Sequence, residues 1–597
     1  MCGICGELRL DGQAVEASVI HRMMERLEAR GPDGGGAWAD GPLAFGHRRL
    51  AVIDLSENAR QPMHDAELRL TLVFNGTIYN YPELRRELAD LGYHFFSGGD
   101  TEVILKAYHA WGAECLARLD GMFAFAIWDM ERRTLFLARD RFGIKPLYFS
   151  ADTRRFRFAS SLPALLAGGG IDLALDPDGL QFQFTLHGSV PAPHTVYKAV
   201  RKLPPATCLT LNIRGETRER RYWRLAAQRP VPEPDEASYL EMAQASLRAA
   251  VKSHHAIADV PVGVLLSGGL DSSLLVALLA EQGQADIRTF SIGFADQPEE
   301  SGNEFSYSDQ VARQYGTRHY RYHIDDAEML RVLPDAMAAM SEPMFSQDNV
   351  AFYLLAREVK REVKVVLSGQ GADEAFGGYY WYPRMAATDA ALPFLARFAP
   401  FYLDRSLADF CAMLAPARRE QVADVAASFV AARLEEPGAT EFMDRVLRLD
   451  ITTLIVDDPV KRVDNMTMAW GLEARVPFLD KTLVETAMRL PPEFKLRENG
   501  KYPLKRLARG RLPDTVIDRP KGYFPTPALK YLRGGFLEFI RDILNAPACR
   551  ERELYDRAYV ERLLAEPLRH FTPLQGNQLW HLAALEYWLQ TQEAAQR

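Results

Sequence analysis

The chain has 597 residues, too many for one hydrophobic core, so we expect at least two domains. Its 48% hydrophobic and 25% charged residues are typical of a soluble globular protein, and its net charge of −8 gives no electrostatic reason to expect nucleic acid or an anionic membrane as a partner. Six scattered cysteines exclude a disulfide framework, no apolar run approaches the ~20 residues that span a bilayer, and the N-terminus does not resemble a signal peptide. We therefore expect a cytoplasmic protein.

Residues 1–210 combine short strands with helices, and we predict that they form the first domain. The periodicity of the apolar residues predicts three strands and one helix: residues 70–74, 122–128 and 134–138, and residues 81–91. The dipeptide Asn75-Gly76 is a strong turn signal, so we predict a turn directly after the first of these strands.

Cys2 is the first candidate for catalysis. Removal of Met1 would leave this cysteine at the N-terminus, where one residue carries both a thiol and an α-amine. An α-amine has a pKa of about 8 and can act as the general base for the thiol, so the nucleophile needs no second side chain. A cysteine at position 2 is by itself more often incidental, and the motifs that follow it decide the interpretation.

Five short motifs along this domain resemble, in order and spacing, the glutaminase domain of the class II, N-terminal-nucleophile amidotransferases. They are Met-Cys-Gly-Ile at 1–4, Arg-Gly-Pro-Asp at 30–33, Gly-His-Arg-Arg-Leu at 46–50, Phe-Asn-Gly-Thr-Ile-Tyr-Asn at 74–80 and Gly-Asp-Thr-Glu at 99–102. The resemblance implies a four-layer α/β/β/α sandwich that hydrolyses glutamine to glutamate and ammonia. Residues 139–148 also match the family, and we expect their role to be mainly structural.

The same resemblance implies a role for each of five residues. Cys2 attacks the glutamine carboxamide, while the side chain of Asn75 and the N–H of Gly76 form an oxyanion hole. Arg49 suits the substrate α-carboxylate because its guanidinium fork matches two oxygens, and Asp100 suits the α-ammonium group. A surface ion pair is the alternative for Arg49 and Asp100.

The second part of the chain has the pattern of a parallel α/β sheet. A polar, proline-bearing stretch at 228–236 indicates a linker, which we place at 211–240, before a second domain at 241–597. Apolar runs predict strands that alternate with helices: strands at 264–266, 287–294 and 363–367, and helices at 238–252 and 274–279. Such sheets bind ligands at the carboxyl ends of their strands.

Residues 267–273, Ser-Gly-Gly-Leu-Asp-Ser-Ser, follow one of these strands and open a helix. Glycines let the backbone approach a ligand, and the N–H groups at a helix start favour an anion. An ordinary turn whose serines cap the helix is the alternative, but the full string favours a nucleotide pyrophosphate site. We predict ATP contacts from this turn and from the end of another strand: Leu265, Leu266, Ser267, Gly268, Gly269, Asp271, Ser272, Ser368 and Gly369.

Three further features belong to this predicted site. Asp271 and Asp373 would be two carboxylates at one ligand edge, suited to hold Mg²⁺ on a pyrophosphate. Lys461 could offset charge on the leaving pyrophosphate, although a solvated helix lysine is the alternative. Residues 519–523 are a candidate lid over the site.

The motifs at 267–273, 367–379 and 460–480 resemble the synthetase domain of asparagine synthetase and its relatives, in the ATP pyrophosphatase group. The resemblance implies that ATP adenylates a carboxylate, that pyrophosphate leaves, and that ammonia reaches the acyl-adenylate through an internal passage. ATP is then a substrate and Mg²⁺ the metal, with no tightly bound organic cofactor. We expect small-molecule partners (glutamine, ATP and a carboxylic acid or short peptide), no nucleic acid or membrane, and a homodimer as one option for assembly.

The acceptor is the open question, because three residues depart from the asparagine synthetase pattern. Gln370 replaces a glutamate and cannot take a proton from ammonium, Asn465 replaces an arginine, and Ser161 replaces another glutamate. This version looks closer to N-acetylglutaminylglutamine amidotransferase, a subgroup that amidates the C-terminal carboxyl of a short osmoprotectant dipeptide. Amidation of aspartate by an asparagine synthetase is the alternative.

Two other classes of function fit parts of the sequence. A regulatory glutamine sensor with an inactive synthetase half would be expected to lack Asp271, Asp373 or Lys461, and all three are present. A phosphoribosyl-transferring amidotransferase shares the first domain but needs a different second domain, and residues 267–273 argue against it.

Overall fold

The computed structural model describes residues 2–420, 422–519 and 526–595. The first domain is built on two six-stranded antiparallel sheets, formed by β1 (Gly3–Arg9), β2 (Gly34–Asp40), β3 (Leu43–Arg49), β4 (Met63–Asp65), β5 (Leu70–Ile78), β6 (Gly121–Asp129), β7 (Thr134–Arg139), β8 (Tyr148–Ala151), β9 (Arg155–Ala159), β10 (Arg201–Lys202), β11 (Thr207–Asn212) and β12 (Thr217–Arg221). One sheet has the order β10-β8-β9-β1-β3-β2, and the other has the order β12-β11-β7-β6-β5-β4.

Helices cover the outer faces of both sheets and complete the four layers that the resemblance implies. The helices of this part of the chain are α1 (Ala17–Glu25), α2 (Tyr81–Asp90), α3 (Asp100–Trp111), α4 (Cys115–Arg118), α5 (Leu162–Ala167) and α6 (Pro177–Thr185). Helices α1 and α5 pack on the sheet that contains β1, and α3 packs on the sheet that contains β5. The predicted α/β/β/α sandwich is therefore confirmed.

Alternation along β6 explains why the domain has two apolar layers. Ala126 and Trp128 point into the layer between the sheets, where they join Phe45 of the facing sheet. Phe125 and Ile127, which alternate with them in sequence, point to the opposite face and pack with residues of α2 and α3. Successive side chains of a strand face opposite ways, so one apolar strand can serve both layers.

The turn predicted at Asn75-Gly76 is wrong. Both residues lie inside β5, where Asn75 pairs with Ala124 and Gly76 with Phe123 of β6. The glycine serves the close approach of the two strands, because a Cβ atom at Gly76 would lie 2.1 Å from the carbonyl oxygen of Met122. The strand pairing thus overrides the local turn propensity of the dipeptide.

The first domain extends further along the chain than residue 210. That position falls inside β11, and β12 continues the same sheet as far as Arg221. These two strands form a hairpin that pairs with β7 through β11. We therefore move the proposed boundary from residue 210 to the segment after Arg221, which shortens the linker.

The second domain contains a five-stranded parallel sheet of β13 (Val262–Leu265), β14 (Arg288–Phe294), β15 (Arg318–Ile324), β16 (Val365–Leu367) and β17 (Glu473–Arg475), as the sequence predicts for its first, second and fourth strands. The strand order is β15-β14-β13-β16-β17. The chain adds β14 and β15 on one side of β13, and then returns to add β16 and β17 on the other side of β13. A parallel sheet binds ligands in the crevice at such a reversal, beyond the carboxyl ends of the strands.

The helices of the second domain surround this sheet and extend to the end of the described chain. They are α7 (Glu236–Ala256), α8 (Leu270–Glu281), α9 (Phe305–Tyr315), α10 (Asp326–Ala338), α11 (Asp348–Val359), α12 (Ala372–Phe376), α13 (Trp381–Ala386), α14 (Phe394–Tyr402), α15 (Leu407–Met413), α16 (Val425–Glu435), α17 (Phe442–Leu449), α18 (Lys461–Met468), α19 (Lys481–Arg489), α20 (Pro492–Leu496), α21 (Tyr502–Ala508), α22 (Asp514–Ile517), α23 (Pro527–Lys530), α24 (Gly534–Asn545), α25 (Pro547–Arg552), α26 (Arg557–Ala565) and α27 (Gln578–Ala594). Among the described residues, no helix combines the length and the apolar character needed to cross a membrane.

A buried ionic triad joins the two domains. Asp464 of α18 accepts hydrogen bonds from Lys145 Nζ at 2.9 Å and from Arg30 Nη2 at 3.1 Å. The side chains are 3%, 0% and 6% exposed, respectively, so water screens none of these charges effectively. One carboxylate therefore balances two cations that the first domain contributes to the interface.

Asp464→Asn should lower the free energy of unfolding by about 3–5 kcal/mol, because it leaves two buried cations without their counter-charge. Urea-induced unfolding of the variant and the wild type measures the difference. Glu87→Gln is the control, since Glu87 pairs with Arg118 at 2.6 Å in a half-exposed bridge whose loss costs about 1 kcal/mol or less. Equal losses in the two variants would contradict a structural role for the triad.

Candidate active site

The nucleophile predicted in the first domain lies beside the predicted oxyanion residue. The backbone N–H of Cys2 donates to Asn75 Oδ1 at 2.9 Å, and Asn75 is fully buried. Asn75 Nδ2 has no hydrogen-bond partner in the part of the chain that the structure describes. Burial raises the pKa of the Cys2 thiol, and the Leu50 backbone and the Arg49 guanidinium oppose this only in part. The thiol therefore needs a base, while a fixed amide donor is available close to it.

Arg49 and Asp100 are each held by hydrogen bonds to the backbone. Arg49 donates from Nη1 to the carbonyl of Ser56 at 3.0 Å and from Nη2 to the carbonyl of Asp54. Asp100 starts α3, and its Oδ2 accepts the N–H of Ile78 at 3.0 Å. Within the described residues neither forms an ion pair, which argues against the alternative that they form a surface salt bridge.

The first loop of the second domain is a closed network of serines and glycines. Ser267 Oγ accepts the N–H of Gly269 at 3.2 Å and lies 3.1 Å from Ser272 Oγ, which also accepts the N–H of Ser267. Gly268 has a φ of +73°, and a Cβ there would lie 2.5 Å from the backbone nitrogen of Ser308. The loop therefore has a fixed shape as it enters the twelve-residue helix α8.

This loop and the one after β16 face a single cavity of about 970 Å³ at the strand-order reversal. Gly369 contributes to the close fit of the two loops, because a Cβ there would lie 3.1 Å from Asp271 Cβ. All the predicted ATP and metal residues except Gly268 line the cavity, as does Gln370: Leu265, Leu266, Ser267, Gly269, Asp271, Ser272, Ser368, Gly369 and Asp373. Gly268 instead packs behind the loop.

Asp271 and Asp373 meet at one cation, which is a lysine. Lys501 Nζ lies 2.6 Å from Asp271 Oδ2 and 2.8 Å from Asp373 Oδ1. Burial by itself would lower the pKa of Lys501, but the two carboxylates raise it by more than burial lowers it. The net pKa lies above the ordinary value of a lysine, so the ammonium stays charged at neutral pH. Two converging carboxylates also form the oxygen donor set that Mg²⁺ prefers, so the residues fit the predicted metal.

Lys501 is not among the residues that the sequence predicts for this site. Glu498, Asn499, Gly500 and Lys501 have successive φ values of +53°, +63°, +99° and +54°. Only Gly500 adopts this left-handed conformation freely, and a Cβ there would meet the Gly377 carbonyl oxygen at 2.1 Å. The Asn499-Gly500 turn signal could have located the bend, but no local pattern marks the lysine as the residue that reaches two distant carboxylates.

Lys461 lies apart from the other residues that the sequence predicts for the ATP site. This residue does not line the large cavity, and its Nζ lies 3.6 Å from Glu342 Oε2 in a buried cluster at the domain interface. Lys202 bridges the same Glu342 at 3.0 Å and Asp457 at 2.6 Å. Of the predicted lid only Arg519 lies within the described residues; it lines the cavity and pairs with Glu304.

A short strand connects the two candidate sites. Glu473 of β17 accepts a hydrogen bond from Thr77 Oγ1 at 3.2 Å, and Thr77 follows Asn75 and Gly76 on β5. Arg475, at the other end of β17, donates to Glu473 at 2.6 Å, while its carbonyl accepts the N–H of Ser368 at 2.8 Å. The three residues of β17 thus connect β5, which carries Asn75 and Gly76, to the loop of Ser368 that lines the cavity.

Comparisons with known proteins agree with this two-site arrangement. The family model Asparagine synthase matches residues 242–590, and Glutamine amidotransferase domain matches residues 1–223. The chain belongs to the asparagine synthetase family. Asparagine synthetase [glutamine-hydrolyzing] 3 of Bacillus subtilis (strain 168) is 31% identical over 99% of this chain and 98% of its own length. A putative asparagine synthetase of Mycobacterium tuberculosis (strain H37Rv) is 35% identical over 96% and 93%, and asparagine synthetase B of Escherichia coli (strain K12) is 30% identical over 88% and 82%.

This family member should use glutamine less efficiently as the pH falls through about 6, if Asp100 binds the substrate α-ammonium group. Burial raises the pKa of Asp100 to about 6 although the Ile78 N–H opposes it, so the carboxylate is lost below that pH and kept above it. The pH profile of kcat/KM for glutamine in the wild type and in Asp100→Asn measures this. A wild-type profile that is flat around pH 6 would remove Asp100 from the substrate site.

Substitutions at one candidate site of this synthetase should leave the reaction at the other site measurable. Lys501→Ala and Asp271→Asn should each reduce ATP-dependent pyrophosphate release by about 10²–10³-fold, because preorganised charge at the phosphates is lost, and should leave glutamine hydrolysis measurable. Cys2→Ala should show the reverse, with glutamine hydrolysis abolished and ammonia-dependent synthesis retained. Lys505→Ala is the control, because Lys505 also lines the cavity but donates to the carbonyl of Glu498 and not to Asp271 or Asp373. Pyrophosphate release unchanged in Lys501→Ala would contradict this assignment.

Proposed function

We propose that this enzyme uses ATP and ammonia derived from glutamine to convert a carboxylate into an amide, most specifically the C-terminal carboxyl of N-acetylglutaminylglutamine. The carboxylate attacks the α-phosphorus of ATP to give an acyl-adenylate and pyrophosphate. Ammonia then attacks the acyl carbon and releases the amide and AMP. The observation that carries this proposal is the direct link, through β17, between a buried Cys2–Asn75 pair and the cavity loops at the strand-order reversal.

Glutamine hydrolysis follows from the residues around Cys2. The thiolate adds to the carboxamide carbon, and the negative oxygen that develops would be met by Asn75 Nδ2 and by the N–H of Gly76. A donor that is already buried and unpaired needs no reorganisation when the charge forms. Ammonia leaves, and water cleaves the remaining thioester to glutamate. Arg49 and Asp100 would hold the α-carboxylate and α-ammonium groups so that only the side chain can react.

ATP chemistry is assigned to the cavity between β13 and β16. The N–H groups at the start of α8 and the loop of Ser267 suit the phosphates. Lys501 would neutralise charge on the departing pyrophosphate, which is the role the sequence assigns to Lys461. Mg²⁺, held by Asp271 and Asp373, would supply further charge neutralisation on the same phosphates.

Ammonia has to cross the domain interface between the two sites. A small cavity of about 10 Å³ lies there, lined from the first domain by Ile144 and Tyr148 and from the second by Lys461 and Asn465. This is near the smallest space that holds one molecule of the size of water. The passage lies in a buried interface, where a charged species pays a larger desolvation cost than a neutral one, and this favours passage of neutral ammonia rather than ammonium.

Two features support a peptide acceptor over aspartate. Gln370 lines the cavity with a neutral amide, and the aromatic side chains of Tyr379, Tyr380 and Trp381 line it as well, which suits an acceptor with more apolar and amide surface than aspartate. Against this, the relatives described above are named asparagine synthetases, and aspartate as acceptor fits those names equally well. The two acceptors are therefore the competing substrates to compare.

A screen of acceptors by pyrophosphate release decides between them. With glutamine and Mg-ATP, N-acetylglutaminylglutamine should give at least tenfold higher kcat/KM than aspartate, a difference of about 1.4 kcal/mol in transition-state binding. Gln370→Glu is the matched variant and should lower this preference, because a carboxylate at residue 370 would favour the α-ammonium group of aspartate, which the N-acetylated dipeptide lacks. Turnover of aspartate without turnover of the dipeptide would overturn the peptide assignment and leave the amidation reaction intact.

A further inference from the structure

Three side chains from distant parts of the chain meet behind the lining of the large cavity, and one of them, His187, reaches it. His187 follows α6, Asp404 lies between α14 and α15, and His581 is in the first turn of α27. His187 lines the cavity, together with the neighbouring Phe345 and Gly576. The mechanism above uses none of these residues.

Their potential ligand atoms are close enough to share one ion. One atom from each of the three side chains lies within 4.8 Å of the other two, and His187 Nδ1 lies 2.5 Å from Asp404 Oδ2. Zn²⁺ binds imidazole nitrogen and carboxylate oxygen at about 2.0–2.2 Å, which places the ligands of a tetrahedral ion roughly 3.3 Å apart. Side-chain shifts on the order of 1 Å would therefore produce that geometry.

The hydrogen bond between His187 and Asp404 does not account for the third residue, His581. It is fully buried, yet neither of its ring nitrogens has a hydrogen-bond partner among the residues that the structure describes. Phe345 stacks on its ring with centroids 4.4 Å apart, which fixes the orientation of the imidazole. Gly576 allows the close approach, since a Cβ there would lie 2.4 Å from His581 Nε2 and 3.2 Å from His187 Cε1.

The backbone around the cluster is also constrained. His187 has a φ of +53°, a left-handed conformation that non-glycine residues seldom adopt. Asp404 is tied to both flanking segments, because its N–H donates to the Thr185 carbonyl at 2.9 Å and its Oδ1 accepts the N–H of Leu574 at 3.3 Å. The three side chains are thus aimed at one another by contacts that do not depend on their own pairing.

We propose that His187, Asp404 and His581 bind a Zn²⁺-type ion, with the fourth position open to water from the cavity. Two imidazoles and one carboxylate are a ligand set that this ion accepts, and three protein ligands with one open position match its known coordination. The ion would bind the segment after α6, the loop before α15 and the start of α27 to one another. The ion site uses none of the residues assigned to ATP, and it is independent of the identity of the acceptor.

A metal titration of the full chain tests the site. The Cys2→Ala protein removes the reactive thiol as a competing ligand, and excess Mg²⁺ occupies the Asp271–Asp373 site. After treatment with a chelator, we expect one Zn²⁺ per chain by isothermal titration, and Co²⁺ should give the intense visible bands of a tetrahedral site. His581→Gln and Asp404→Asn should each weaken binding by at least about 100-fold, because each removes a ligand. Bound Zn²⁺ should raise Tm in the parent protein and not in these variants.

His194→Asn is the matched control. His194 belongs to the other group that could hold an ion within the described ranges, with Asp176 and Asp178, but that group is only partly buried and Asp178 is exposed. The His194→Asn protein should still bind one Zn²⁺ per chain. Absence of a stoichiometric ion in the Cys2→Ala protein overturns the proposal before any other variant is made. Equal binding by His581→Gln and the parent overturns it as well.

Discussion

The buried ion pair between Glu473 and Arg475 is the interaction on which both sites depend. Both residues are fully buried, and their side chains are joined at 2.6 Å. Within the described residues β17 is an edge strand that pairs with β16, and the contact of Glu473 with Thr77 joins it to the first domain, in addition to the triad of Asp464, Lys145 and Arg30. The strand that carries Asn75 and Gly76 is therefore linked to the cavity loop through side-chain contacts of β17, which gives a physical route for one candidate site to respond to the other.

Much of the architecture could be read from the sequence because it is encoded locally. Short apolar runs predict the strands β6 and β7 and the helix α8, and the glycines at a strand end predict the loop of Ser267. Lys501 could not be read in this way. Its role depends on a left-handed bend and on two carboxylates more than 100 residues away, so only the folded chain identifies it. Lys461 shows a related limit, since its motif matches the family while its side chain lies beside Glu342 and not among the residues that line the large cavity.

The departures from the family pattern also acquire a physical meaning. Asn465 Oδ1 accepts the N–H of Ser341 at 2.8 Å, a bond that an arginine could not make because its guanidinium has no acceptor. Ser341 precedes Glu342, the carboxylate shared by Lys202 and Lys461. Asn465 thus holds the backbone beside the interface charge cluster.

The hairpin of β11 and β12 has a practical consequence for anyone who wishes to study the glutaminase half alone. Ending the chain at residue 210 would remove β12 and divide β11, so that part of β7 would present unpaired backbone N–H and carbonyl groups. Exposed strand edges of this kind recruit other chains and promote aggregation. A soluble fragment would need to continue at least to Arg221, so that the sheet keeps the edge strand that closes it.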